Sequence, residues 1–169
     1  MSSRQPLASD PIELARANWV AHGWAEAAEG MAFVTSIMRV QQAYLAQIEA
    51  LLRPSGLTFA RFEVLRLLAF SRRGALPVGK VGERLQVHPA SVTNAVQRLE
   101  ADGLVVRKTN PADGRSVLAE ITPAGRTLVA ECTETLNSAV FTKVPISRAE
   151  QRQASVALTG IRKAFGDFA

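Results

Sequence analysis

Val87-His88-Pro89-Ala90-Ser91-Val92-Thr93-Asn94-Ala95-Val96-Gln97-Arg98-Leu99-Glu100-Ala101-Asp102-Gly103-Leu104-Val105-Val106-Arg107-Lys108-Thr109 is the stretch whose reading decides the fold. Up to Ala101 its apolar residues Val92, Ala95, Val96 and Leu99 recur at three- and four-residue steps, the period of a helix with one inward face. His88-Pro89 opens that helix, because proline suits the first helical position, and Gly103 closes it. After Gly103 the period changes. Leu104 to Thr109 and Ser116 to Ile121 read as two strands, and Asn110-Pro111-Ala112-Asp113-Gly114-Arg115 between them is turn chemistry. Upstream, Val78 to Leu85 reads as a short helix joined to the Pro89–Ala101 helix by a tight turn. Helix, tight turn, helix and hairpin in that order predict a winged helix-turn-helix lobe.

The flanks on both sides read as helices. Asp10-Pro11-Ile12-Glu13 looks like a helix start with a capping box, and a short, broken helix runs from there to about Glu29, with Gly23 and Gly30 as weak points. From Met31 to Leu52 the residues Val34, Ile37, Met38, Leu45, Ile48, Leu51 and Leu52 predict a long amphipathic helix, ended by Arg53-Pro54-Ser55-Gly56. Thr58 caps a further helix with Phe59, Phe62, Leu65 and Leu68 on one side and Arg61, Arg66 and Arg72 on the other. Thr122-Pro123 restarts a helix striped by Leu128, Val129, Cys132 and Leu136, and Val144-Pro145 interrupts it. Ser147 and Glu150 form a capping box for a last helix carrying Ala157, Leu158, Ile161, Phe165 and Phe168. Met1 to Ser9 is polar and expected to fray. The expected fold is mainly α with a small β-hairpin wing, one α+β domain over 1–169. Its winged lobe, 57–122, lies between helical arms at 10–52 and 123–168.

Charge points to a partner. The 169 residues carry +5, with −2 in 1–52, +6 in 53–126 and +1 in 127–169. An evenly basic surface would suit an anionic membrane as well as nucleic acid, but the surplus falls on the winged lobe, and the membrane reading loses its support. Ser91, Thr93, Asn94, Gln97 and Arg98 face away from the inward stripe, with Pro89 at the helix start. Short polar side chains of that kind admit a helix to the major groove and still address base edges or phosphates. Arg107, Lys108 and Arg115 place cations on the projecting hairpin, where they would follow the backbone toward a minor groove, and Asp113 would fix the tip through Arg115. An ordinary solvated helix and a hairpin that merely covers the core are the plainer alternatives for each piece taken alone.

Other chemistry finds little support. With two histidines and one cysteine, no His/Cys/carboxylate cluster has metal-ligand spacing and no phosphate loop or nucleophile motif is present, so neither catalysis, metal nor cofactor is expected. The lone Cys132 excludes an internal disulfide and fits a reducing cytoplasm; it leaves a thiol-based redox switch as an alternative, though it lies in an apolar stripe that suits an inert, buried thiol. No run approaches the roughly 18 apolar residues of a membrane span, and the polar stretch from Met1 to Pro11 carries no secretory signal, so a cytoplasmic protein is expected.

The stretch from Leu57 to Arg126, and more loosely Met31 to Phe168, resembles the MarR family of bacterial transcriptional regulators. The resemblance rests on Leu85 to Thr93, Arg98-Leu99-Glu100-Ala101-Asp102-Gly103-Leu104-Val105, Asp113-Gly114-Arg115-Ser116 and Ile121-Thr122-Pro123-Ala124-Gly125. It implies that the terminal regions build a homodimer and that the hairpin is the DNA wing, with Arg115 at or in the minor groove. Many members have Asp-Pro ahead of the wing aspartate; here Asn110-Pro111 removes one negative charge. Members often respond to small phenolic or aromatic anions, for which Trp19, His22, Trp24, Arg61 and Glu63 are candidates, although packing accounts for the same tryptophans and histidine. The extension is similar to that of urate-type regulators, which have an arginine where this chain has Ala95. A two-fold dimer would set two reading helices about 34 Å apart on double-stranded DNA and call for a pseudo-palindromic operator. The function expected is thus a homodimeric, sequence-specific repressor released by a small aromatic or phenolic effector. A winged-helix module that contacts proteins without binding DNA is the alternative from another class.

Overall fold

The computed structural model describes residues 7–111 and 113–169. The expected fraying of Met1 to Pro6 and the middle of the hairpin turn at Ala112 lie outside the described residues. The chain divides into two compact units, one running to Gln47 and one from Ile48 onward.

In the first unit, α1 (Pro11–Ala21) begins where Asp10 Oδ1 accepts from the Ile12 amide at 2.8 Å, with Pro11 in the first turn. The capping box expected there is not completed, because the Glu13 carboxylate is taken by Arg16 Nε at 3.0 Å; Arg16 reaches Glu29 at 3.0 Å as well. Gly23, at φ +84°, breaks the chain before α2 (Ala25–Leu52), whose last residues belong to the second unit. Gly30, expected as a weak point, lies inside α2. A mid-helix glycine costs only about 1 kcal/mol relative to alanine, and the run Ala25-Glu26-Ala27-Ala28 before it consists of strong helix formers.

The second unit starts with a short 3₁₀ turn (Arg53–Ser55) closed by Gly56 at φ +67°. Thr58 caps α3 (Phe59–Phe70), which buries Phe62, Val64, Leu65 and Leu68. A three-residue strand, β1 (Ala75–Pro77), leads directly into α4 (Val78–Leu85). The turn to α5 (Pro89–Ala101) is made by Gln86 at φ +53°, the one described non-glycine residue with positive φ, and its Nε2 donates to the Glu83 carbonyl at 2.8 Å. β2 (Val105–Thr109) and β3 (Val117–Ile121) form the hairpin, and β1 adds antiparallel to β3 with Ala75 opposite Glu120. The wing is therefore the tip of a three-stranded sheet in the order β1-β3-β2, not a bare two-stranded ribbon.

Thr122 caps α6 (Pro123–Leu136), which seats Gly125 against the sheet's base: a Cβ there would come within 2.3 Å of the Leu104 carbonyl oxygen. A π-helical turn (Asn137–Phe141) follows. The Ser147–Glu150 capping box is present at the start of α7 (Arg148–Ala164). The core joins Leu65 and Leu68 of α3, Val81 of α4, Val92, Val96 and Leu99 of α5, Ala119 of β3, and Val129 and Leu136 of α6. Side chains of this kind contribute about 1.5–3 kcal/mol each when buried. By contrast α7 buries no residue, and Val156 (74% exposed) and Phe165 (87%) leave its apolar side in water.

Candidate nucleic-acid interface

The geometry of α5 follows from its ends. His88 Nδ1 accepts from the Ala90 amide at 3.2 Å, so the histidine before Pro89 is the helix cap. Val92, Ala95, Val96 and Leu99 are buried, which turns Pro89, Ser91, Thr93, Asn94, Gln97 and Arg98 to solvent. Three of the six side chains are already oriented. Arg98 Nε donates to Asn94 Oδ1 at 3.0 Å, and the Thr93 hydroxyl donates to the Pro89 carbonyl at 3.0 Å, leaving its lone pairs free to accept.

At the wing tip Asp113 Oδ1 accepts from the Arg115 amide at 3.1 Å, and the Asp113 carbonyl accepts from the Ser116 amide at 2.9 Å. Asn110 Nδ2 donates to Ser116 Oγ at 2.8 Å across the turn. The Arg115 side chain is 99% exposed and approaches Asp113 only to 3.8 Å, a contact that holds it weakly.

The other two wing cations are differently placed. Arg107 Nε donates to Glu100 Oε2 at 2.6 Å while the Arg107 amide donates to Glu100 Oε1 at 3.1 Å, a two-point clamp between β2 and α5. Lys108 Nζ meets Glu120 Oε2 at 2.7 Å across the hairpin. Arg107, Lys108 and Arg115 are thus matched by Glu100, Glu120 and Asp113, and the wing with its anchor on α5 carries no net charge. Sequence reading missed Glu100 and Glu120 as part of this surface. The signal for Glu120 is weak, a carboxylate twelve residues from its lysine, and that for Glu100 requires knowing where α5 turns back into β2.

The effector candidates fall in both units. In the first, the Trp19 and Trp24 rings meet edge to face at 5.4 Å, His22 stacks on Trp24 at 5.8 Å, and His22 Nδ1 lies 2.7 Å from the Asn18 carbonyl. In the second, Arg61 is held by Asp102 at 3.0 Å and by the Gly56 carbonyl. Glu63 is half-buried with no partner, and that burial raises its carboxyl above the ordinary range. Cys132 is a free, buried thiol. Among the described residues no cluster of three or more His, Cys, Asp or Glu could hold a metal, and no helix is long and apolar enough to cross a membrane.

Comparison with known proteins agrees with this geometry. A family model described as "MarR family" matches residues 55–116. Sco5413, a MarR family transcriptional regulator from Streptomyces coelicolor, is 46% identical, with 83% of this chain and 97% of that chain covered and a TM-score of 0.76. CouR from Rhodococcus jostii RHA1, solved bound to p-coumaroyl-CoA, is 27% identical over 79% of this chain and 92% of its own, with a TM-score of 0.65. The HTH-type transcriptional repressor Rv2887 from Mycobacterium tuberculosis is 32% identical over 92 residues, 54% of this chain and 65% of the repressor. The matched segment spans 44% to 65% of the length of curated relatives of this kind.

Proposed function

The chain belongs to the MarR family of transcriptional regulators, a family of regulators and not of enzymes, and from that premise we propose that it is a homodimeric repressor of operator DNA. In this reading 57–122 is the DNA-binding lobe. Pro89, Ser91, Thr93, Asn94, Gln97 and Arg98 meet the major groove, and Arg115 enters the flanking minor groove from a tip shaped by Asp113. The observation that carries it is the polar outer face of α5, exposed along its length above a fully packed inner stripe, beside a wing tip whose arginine is 99% exposed. Mobility-shift titration with the DNA immediately upstream of the chain's own coding sequence tests it. Binding is expected, and Arg115→Ala should weaken it and flatten its salt slope by about 0.9 for each wing, about 1.8 for the dimer. No shift at low salt rejects the reading.

The arms at 10–52 and 123–168 supply the dimer. Phe33, Val34 and Met38 of α2 and Val156 and Phe165 near the other end of the chain are large apolar side chains left in water, as an unpartnered association surface leaves them. An effector acts by binding one conformation of the dimer better than another. Trp19, His22 and Trp24 of the first unit, and separately Arg61 and Glu63 of the second, are the candidates for contact with an aromatic anion, and CouR's complex supports that class of ligand for this family member. Trp19 and Trp24 are the chain's two tryptophans, so a panel of phenols and aromatic carboxylates that alters neither their fluorescence nor DNA affinity rejects effector control.

The pairing of the wing's cations with carboxylates of the wing and of α5 favours a second reading, a winged-helix module that contacts another protein through the same face. The low-salt titration separates the two, since a protein-binding module of this charge would hold no duplex.

A further inference from the structure

From the clamp between α5 and β2 we infer that Glu100 is a specificity-determining residue, which keeps Arg107 off the phosphates and so suppresses binding to DNA of any sequence. The inference rests on the DNA-binding reading above. Arg107 lines a cleft together with Thr93 of α5 and Ser116 and Val117 of the wing, which sets the residue beside the reading face, and its side chain is part-exposed there. It is held back by two contacts on one carboxylate: 2.6 Å from Nε to Glu100 Oε2, and 3.1 Å from its own amide to Glu100 Oε1. The amide contact fixes the carboxylate on the strand whatever the guanidinium does. Lys108 is neutralised in the same manner by Glu120 at 2.7 Å. The Arg107 hydrogen bond also pulls the Glu100 carboxyl below its ordinary range, so the restraint is fully charged at neutral pH.

Phosphate contacts raise affinity for every sequence alike, whereas base contacts raise it for one. A wing that displayed all three cations would therefore add non-specific affinity against which the contacts of α5 must discriminate. With Arg107 and Lys108 matched, Arg115 is left as the wing's sequence-independent contribution, and discrimination falls to α5.

The test uses the full chain and a random-sequence 30-base-pair duplex, read by fluorescence anisotropy across a salt series. In the wild type Arg107→Ala should leave the salt slope unchanged, because Arg107 touches no phosphate. Glu100→Gln, which keeps an acceptor for the Arg107 amide, should bind the random duplex severalfold more tightly and steepen the slope by about 0.9 for each protomer, about 1.8 for the dimer, the release expected for one new phosphate contact on each wing. The double variant Glu100→Gln/Arg107→Ala should return to the wild-type slope. Weaker binding of Glu100→Gln with an unchanged slope would assign Glu100 a purely structural role and overturn the inference alone. A wild-type chain that binds no duplex at low salt overturns the DNA-binding reading and this inference together; circular dichroism of each variant confirms that the comparison is between folded chains.

Discussion

Glu63, half-buried on α3 without a partner, is a residue that the folded chain prefers protonated, since burial raises its carboxyl above the ordinary value. A raised carboxyl contributes stability below the unfolded-state value of about 4.3 and loses it as pH rises through the folded-state value. Glutamine imitates the protonated form at every pH. Glu63→Gln should therefore raise Tm at pH 7, with a stability gain of less than about 1 kcal/mol because the group is only part-buried, and leave Tm unchanged in acid. A fall in Tm at pH 7 would show that the carboxylate makes a favourable contact in the fold. At this scale much of the site was legible: the outward residues of α5 follow from a 3.6-residue period and need no structure to place them. What stayed hidden was pairing. Arg107 and Lys108 read as free cations because Glu100 and Glu120 become their neighbours only after the turn at Gly103 and the register of β2 on β3 are fixed.

Among the elements, α4 and α5 have the bounds that the sequence predicts, because a proline marks the start of each, Gly103 follows the end of α5, and buried residues mark their middles. β1 was illegible for the opposite reason. Ala75-Leu76-Pro77 is too short to show alternation, and it becomes a strand only because β3 offers it an edge. The start of α2 was misplaced by giving Gly30 more weight than one glycine carries among alanines. The capping boxes sharpen the point: Ser147 and Glu150 bond reciprocally at 3.3 and 2.8 Å, whereas Asp10 caps alone once Arg16 claims Glu13. Since α7 draws no stability from buried side chains of its own, its cap matters more than most. Ser147→Ala should cost about 1 kcal/mol, seen as lost helicity and a lower Tm, and an unchanged melting curve would mean that the first turn of α7 is held by something other than its cap.

For the whole molecule, the net charge of +5 changes meaning once its partners are known. The surplus in 53–126 guided the reading toward nucleic acid, yet it does not sit on the wing, where each cation has a carboxylate. It lies instead on residues such as Arg72, Arg73, Arg84 and Arg98, which form no ion pair among the described residues. The sequence carries an excess of apolar helix surface, and part of that excess lies on α7, a helix that buries no residue within its own chain. In the proposed homodimer such a helix would complete its packing only against a second copy, and folding would be a bimolecular event. Thermal unfolding should then depend on protomer concentration, with Tm falling by about 2 °C for each tenfold dilution; a Tm constant over two decades would mean that α7 is stable in the lone chain. Scarcity would then weaken the regulator twice, since fewer copies are made and a smaller share of them stays folded.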